Sequence, residues 1–72
     1  MYTTKNYQKA IAEVCKNTRV RSGLSQSDVA NATGYTQPQI SRFESGKMAS
    51  FYLLIYYLIS FDLDLGGLKY EH

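Results

Sequence analysis

Cysteine occurs once in the 72 residues, at Cys15, so no internal disulfide can form. A lone thiol on an apolar stripe reads as a small core residue. One unpaired cysteine also fits a reducing compartment, and a cytoplasmic protein is expected. Histidine occurs once too, as His72. No Cys/His cluster has the spacing of a metal site, and neither metal nor cofactor is expected. No nucleophile–base pair and no carboxylate pair suggests catalysis, so the chain is not expected to be an enzyme. Internal repeats and low-complexity linkers are missing. The start of the chain is polar, with Lys5 and Lys9 and no apolar stretch after them, so no signal peptide is expected. The longest apolar run, "FYLLIYYLISF" at 51–61, spans about 16 Å as a helix against about 30 Å for a bilayer core, so no membrane span is expected.

A chain this short makes one small domain, expected over residues 1–72, and buries only about 60% of the surface its unfolded form exposes. Without disulfides it needs compact helical packing or a partner. Net charge is +2, unevenly spread. Residues 16–47 carry Lys16, Arg19, Arg21, Arg42 and Lys47 against Asp28 and Glu44, a net of +3. Residues 48–72 carry Lys69 against Asp62, Asp64 and Glu71, a net of −2. The basic part suggests a polyanionic partner; the alternative is an ordinary solvated surface.

Helical signals dominate. Ile11, Val14, Cys15 and Thr18 form one stripe within a helix expected over 5–22, stopped by Gly23. Ser25 and Asp28 form a capping box for a second, short helix, with Val29 and Ala30 inward and Gly34 at its end. Thr36 opens a third helix, Gln39 completes a second capping box, and Pro38 sits in the first turn, where a missing N–H costs little. Ile40 and Phe43 face inward. A turn surrounds Gly46. Ser50 caps a fourth helix over 51–61, and Leu63 and Leu65 of the tail are expected to pack.

Two short helices joined by a tight glycine turn make a helix-turn-helix, here at 26–45. Within that window Ala30 is small where the next helix crosses, Gly34 permits a positive φ, and Ile40 fills the angle between the helices. With these residues the stretch "RSGLSQSDVANATGYTQPQISRFESGK", residues 21–47, resembles the phage-repressor helix-turn-helix family of the Cro and lambda repressor (Xre) type. The "GLSQ", the "VA…G" and the "ISRFESG" carry the resemblance, which covers roughly residues 9–65. It implies a five-helix bundle, and an all-α bundle of four to five helices is expected. Such a bundle binds double-stranded DNA, usually as a dimer on a two-fold-related operator, with the third helix in the major groove.

The resemblance also implies residue roles. Gln26 matches a glutamine that contacts a phosphate and supports the first recognition side chain. Gln37, Gln39 and Arg42 are candidates for base contacts: glutamine pairs bidentately with adenine, arginine with guanine. Residues at the start of a recognition helix reach base edges. The alternatives are that Gln39 is only a cap and Arg42 only a surface charge or a phosphate contact. Pro38 departs from many relatives, which place a polar residue there; it would touch a thymine methyl or stiffen the helix start. Ser41 would reach a phosphate or a base edge. Phosphate contacts are expected from Ser25, Gln26, Ser45, Lys47, Lys16 and Arg21. In the family, Arg19 pairs with Glu44 in a partly buried salt bridge; the alternative for Arg19 is phosphate.

The fourth helix is too apolar for one-sided packing: ten of eleven residues are apolar or aromatic. Leu54, Tyr57, Leu58 and Phe61 suit the core. Phe51, Tyr52, Ile55, Tyr56 and Ile59 are left partly outward, as a homodimer surface or the site of a protein partner. The alternatives there are exposed tyrosines with cover from the tail. Two functions from different classes follow: a DNA-binding regulator, most simply a repressor, and an antitoxin or adaptor working through the fourth helix.

Overall fold

The computed structural model describes residues 4–61, which form an all-α bundle of four helices. These are α1 (Thr4–Arg21), α2 (Gln26–Thr33), α3 (Gln37–Glu44) and α4 (Phe51–Ser60). Leu63 and Leu65 lie outside the described residues. α3 packs against α2 and α1, and α1 also packs against α4. The buried cluster joins Cys15 of α1, Val29 and Ala30 of α2, Ile40 and Phe43 of α3, and Leu53 and Tyr57 of α4. Ile11, Tyr35, Met48, Leu54, Tyr56 and Phe61 pack around it. Ala12, small enough to let a neighbour approach closely, is buried as well.

Local chemistry places the ends of the short helices. The Ser25 hydroxyl accepts from the Asp28 N–H at 3.0 Å, and the Asp28 carboxylate accepts from the Ser25 N–H at 2.9 Å. At α3 the Thr36 hydroxyl accepts from the Gln39 N–H at 3.3 Å, while Gln39 Oε1 accepts from the Thr36 N–H at 2.9 Å. Ser50 Oγ accepts from the Leu53 N–H at 3.1 Å and caps α4. Each such cap stabilises its helix by about 1 kcal/mol. Eight-residue helices are too short to persist alone, so these caps and the shared core form them together.

Gly34 ends α2 at φ +83° and donates its N–H to Ala30 O at 2.9 Å, a left-handed cap that turns the chain into α3. Gly46, at φ +81°, has a second constraint: a Cβ there would meet Lys9 Cα at 3.2 Å. Gln8 Nε2 donates to Gly46 O at 3.0 Å, and so the turn after α3 lies directly on α1.

The core expectation for this segment holds in part. Of the four residues assigned to the core, Tyr57 is fully buried, Leu54 and Phe61 pack half-buried against the core, and Leu58 is half-buried. Leu53 is the other fully buried residue. The inward line is therefore the i, i+4 pair Leu53 and Tyr57. Tyr57 sets that phase because its hydroxyl has a buried acceptor, described below.

Candidate nucleic-acid interface

α3 presents its first turn and its outer side to solvent. Gln37, Pro38, Gln39 and Arg42 are exposed, whereas Ile40, Phe43 and Glu44 are buried. At about 100° per residue, Pro38 and Arg42 lie only about 40° apart, at the centre of the outward face. Ser41 flanks them and is half-buried. Gln37 lies only about 20° from the buried Glu44, which turns it toward α2 rather than straight outward.

That position has a chemical consequence. Gln37 Nε2 donates to Gln26 Oε1 at 2.6 Å, and Gln26 Nε2 donates to Glu44 Oε1 at 3.1 Å. Glu44 is held from every helix. Arg19 of α1 clasps it with two parallel bonds, Nε to Oε2 at 2.8 Å and Nη2 to Oε1 at 2.9 Å. The Tyr57 hydroxyl of α4 donates to Oε2. Arg19 Nη1 donates to Leu24 O at 2.7 Å, fixing the loop before α2 as well. The two ionic side chains are 9% and 1% exposed. One carboxylate on α3 thus connects α1, α2 and α4, and reaches the exposed amide of Gln37 through Gln26.

The electrostatics follow from this geometry. Burial alone would raise the Glu44 pKa, but hydrogen bonds from Arg19, Tyr57 and Gln26 outweigh it and hold the carboxyl below its ordinary value. The bonds that Arg19 donates to Glu44 raise the Arg19 pKa. Burial, then Glu44, pushes the Tyr57 phenol well above its usual range. Burial likewise pushes the Cys15 thiol up to about 12, so it is an uncharged core group at neutral pH. Among the described residues, every buried side-chain nitrogen and oxygen has a hydrogen-bond partner.

Around α3, the charged and polar residues assigned to phosphates occupy distinct settings. Lys16, Arg21, Ser25, Ser45 and Lys47 are exposed, and Gln26 is half-buried in the relay. Arg21 Nη2 donates to Thr18 Oγ1 at 3.4 Å, and Ser45 Oγ donates to Arg42 O at 3.1 Å. Among the described residues Arg19–Glu44 is the ion pair, so the charges of Lys16, Arg21, Arg42 and Lys47 are left uncompensated by contact. The helix starts differ as anion sites. α2 offers the N–H groups of Gln26 and Ser27, which have no intrahelical acceptor, whereas Pro38 removes one such donor from α3. Asp28 at α2 is kept below its usual pKa by the Ser25 backbone N–H and stays charged as a cap.

The residues assigned to a partner surface divide. Phe51, Tyr52 and Ile59 are 78%, 57% and 78% exposed, while Ile55 and Tyr56 are half-buried. Tyr56 meets both Tyr57 and Phe61 edge-on, with ring centroids 5.9 Å apart in each case. Tyr52 stacks on Tyr35 at 5.8 Å, and the Tyr35 hydroxyl is 3.2 Å from Ser50 Oγ. These bonds link the turn before α3 to the start of α4. Sequence reasoning missed them, along with the donation of Tyr57 to Glu44, because long-range tyrosine pairing leaves no spacing signature.

No helix among the described residues is long and apolar enough to cross a membrane. Comparison with curated proteins and with solved structures gives no match. The model of one family, the helix-turn-helix domain, matches residues 10–50, from the middle of α1 to the residue that caps α4. More than half of the chain, with the α2–turn–α3 geometry at its centre, thus fits that family, and the protein belongs to the DNA-binding helix-turn-helix domain family.

Proposed function

We propose that the protein is a sequence-specific regulator of transcription, of the Cro and lambda repressor (Xre) type, that occupies an operator in double-stranded DNA as a dimer. The first turn of α3 enters the major groove. Gln37 pairs with adenine, Arg42 with guanine, and Pro38 between them packs on a thymine methyl. The carrying observation is the relay behind Gln37, in which Gln26 and Glu44 orient an exposed amide from inside the fold. A fixed amide loses little freedom on pairing with a base. Gln39 has its carbonyl oxygen engaged by the Thr36 N–H, and its NH2 group remains to donate. Ser41 serves the same face from its edge. Lys16, Arg21 and Lys47 neutralise phosphates, joined by Ser25, Gln26 and Ser45, and set the register without reading sequence. Repression follows from steric occupation of the operator.

Salt titration of binding to a duplex pool tests this reading. Three neutralised phosphates per copy give a slope of roughly −2.7 in log K against log salt, from about −0.9 per phosphate. A flat slope, or no binding at low salt, contradicts it. A second reading, an antitoxin or adaptor, draws support from the exposed Phe51, Tyr52 and Ile59. It predicts that a protein ligand binds more tightly than any DNA.

A further inference from the structure

The start of α4 combines a protrusion with a hollow. Phe51 is the protrusion: it is the first residue of α4 and 78% exposed. The hollow is a groove of about 270 Å³ beside it, lined by Tyr7 and Ile11 of α1, Phe43 of α3, and Met48, Phe51 and Leu54. Ile55 and Ile59 continue the apolar face, since Phe51 and Ile55, like Ile55 and Ile59, are four residues apart on one side of the helix.

We infer that a second copy of the chain docks here. Its Phe51 enters this groove while the Phe51 of the first copy enters the groove opposite. This rests on the dimeric reading above and gives it a definite surface. Three observations choose a second copy over another protein. First, a two-fold contact uses the same patch on both copies, residue i meeting j while j meets i, so the patch must be complementary to itself. A protruding ring beside a hollow of about 270 Å³ meets that condition. Second, no charged residue lies on α4 or among the groove residues, so no like charges oppose one another across the axis. An uncharged patch also offers nothing to select a charged foreign partner. Third, the area fits two small copies meeting weakly. An aromatic side chain offers about 150–250 Å². Phe51, Tyr52 and Ile59 at the exposures above then supply roughly 400 Å² per copy, below the roughly 800 Å² per partner of a standard stable interface. Two copies therefore exchange in free solution and stay together when neighbouring half-sites hold both.

The experiment compares the natural chain with Phe51→Ala, an exposed change that leaves the core untouched. Sedimentation velocity is run up to millimolar concentration, and the methyl shifts of Ile11 and Met48 are followed over the same range. Expected is a concentration-dependent dimer whose formation moves both methyl signals, with self-association weakened at least tenfold in Phe51→Ala. Ile11 and Met48 remaining still while the chain self-associates overturns the inference, as does unchanged association of Phe51→Ala. A chain that stays monomeric throughout also overturns it, and leaves the groove to a different protein. Binding of a single half-site duplex is measured in parallel. Its loss in both chains counts against the DNA-reading function, whereas self-association without DNA is a separate result.

Discussion

The outer faces of α3 and α4 are built on opposite principles. On α3 the two exposed glutamines are held in place: Gln37 reaches Glu44 through Gln26, and Gln39 is held by Thr36. On α4 the large exposed side chains are apolar, and Phe51 and Ile59 stand 78% clear of the protein. A polar face that discriminates needs its donors and acceptors held in place, because a misdirected amide loses its bond and leaves a base unpaired. An apolar face needs only shape and area. The two helices are nonetheless joined at Glu44, which accepts from Tyr57 on one side and Gln26 on the other.

The largest expected effect comes from Glu44→Ala. It leaves the Arg19 guanidinium buried without its partner, at a cost of about 3–5 kcal/mol. Small domains have about 5–15 kcal/mol in total, so thermal unfolding followed by circular dichroism should show Tm collapse or no folded state at all. An unchanged Tm would mean that the four helices do not depend on this carboxylate.

Acid tests the same point without mutation. The folded pKa of Glu44 lies below the unfolded value of about 4.3. Its stabilisation is thus fully present above about pH 4.3 and is lost as the pH falls through the folded value. Urea midpoints should be level near neutrality and decline below pH 4. Asp28, also held low, contributes to the same decline, so Asp28→Asn should keep most of it. Tyr57 has the opposite sign: its raised pKa gives stability that is present below the unfolded value of about 10 and is lost at higher pH.

Tyr57→Phe sharpens the comparison, because it cuts the link between α4 and the carboxylate while keeping the ring. Glu44 Oε2 keeps its bond from Arg19 Nε, so the expected loss is about 1 kcal/mol, near the net worth of one hydrogen bond. Equilibrium denaturation would read it. Smallest is Pro38→Ala. The ring restricts the unfolded chain at a position that already suits it, so the loss should be about 0.4–1 kcal/mol. The change also restores an N–H at the start of α3, and non-specific DNA affinity should rise slightly.

The sequence carried the parts of this fold that are local. Ser25 with Asp28 and Thr36 with Gln39 act within four residues of one another, so their spacing alone locates both helix starts. Gly34 is equally local, since the left-handed turn needs it in place. The pairing of Arg19 with Glu44 spans 25 positions and came through family resemblance, not through spacing. The phase of α4 was hidden because ten of its eleven candidate residues are apolar, which gives periodicity no contrast to work on. What fixes that phase is the Tyr57 hydroxyl meeting a carboxylate on another helix. The groove beside Phe51 was equally hidden, because it depends on how α1 lies over the turn at Gly46.

The central claim is that the outer face of α3 reads base edges. Selection of binding sites from a random duplex pool tests it most directly, run with the natural chain and with the Gln37→Ala, Arg42→Ala double variant. The natural chain should enrich paired half-sites with an adenine and a guanine at fixed positions. The double variant should fold normally and still bind DNA, but it should lose those preferences, with each lost pairing worth about 1–3 kcal/mol of discrimination. The same enriched sequence from both proteins would contradict the account.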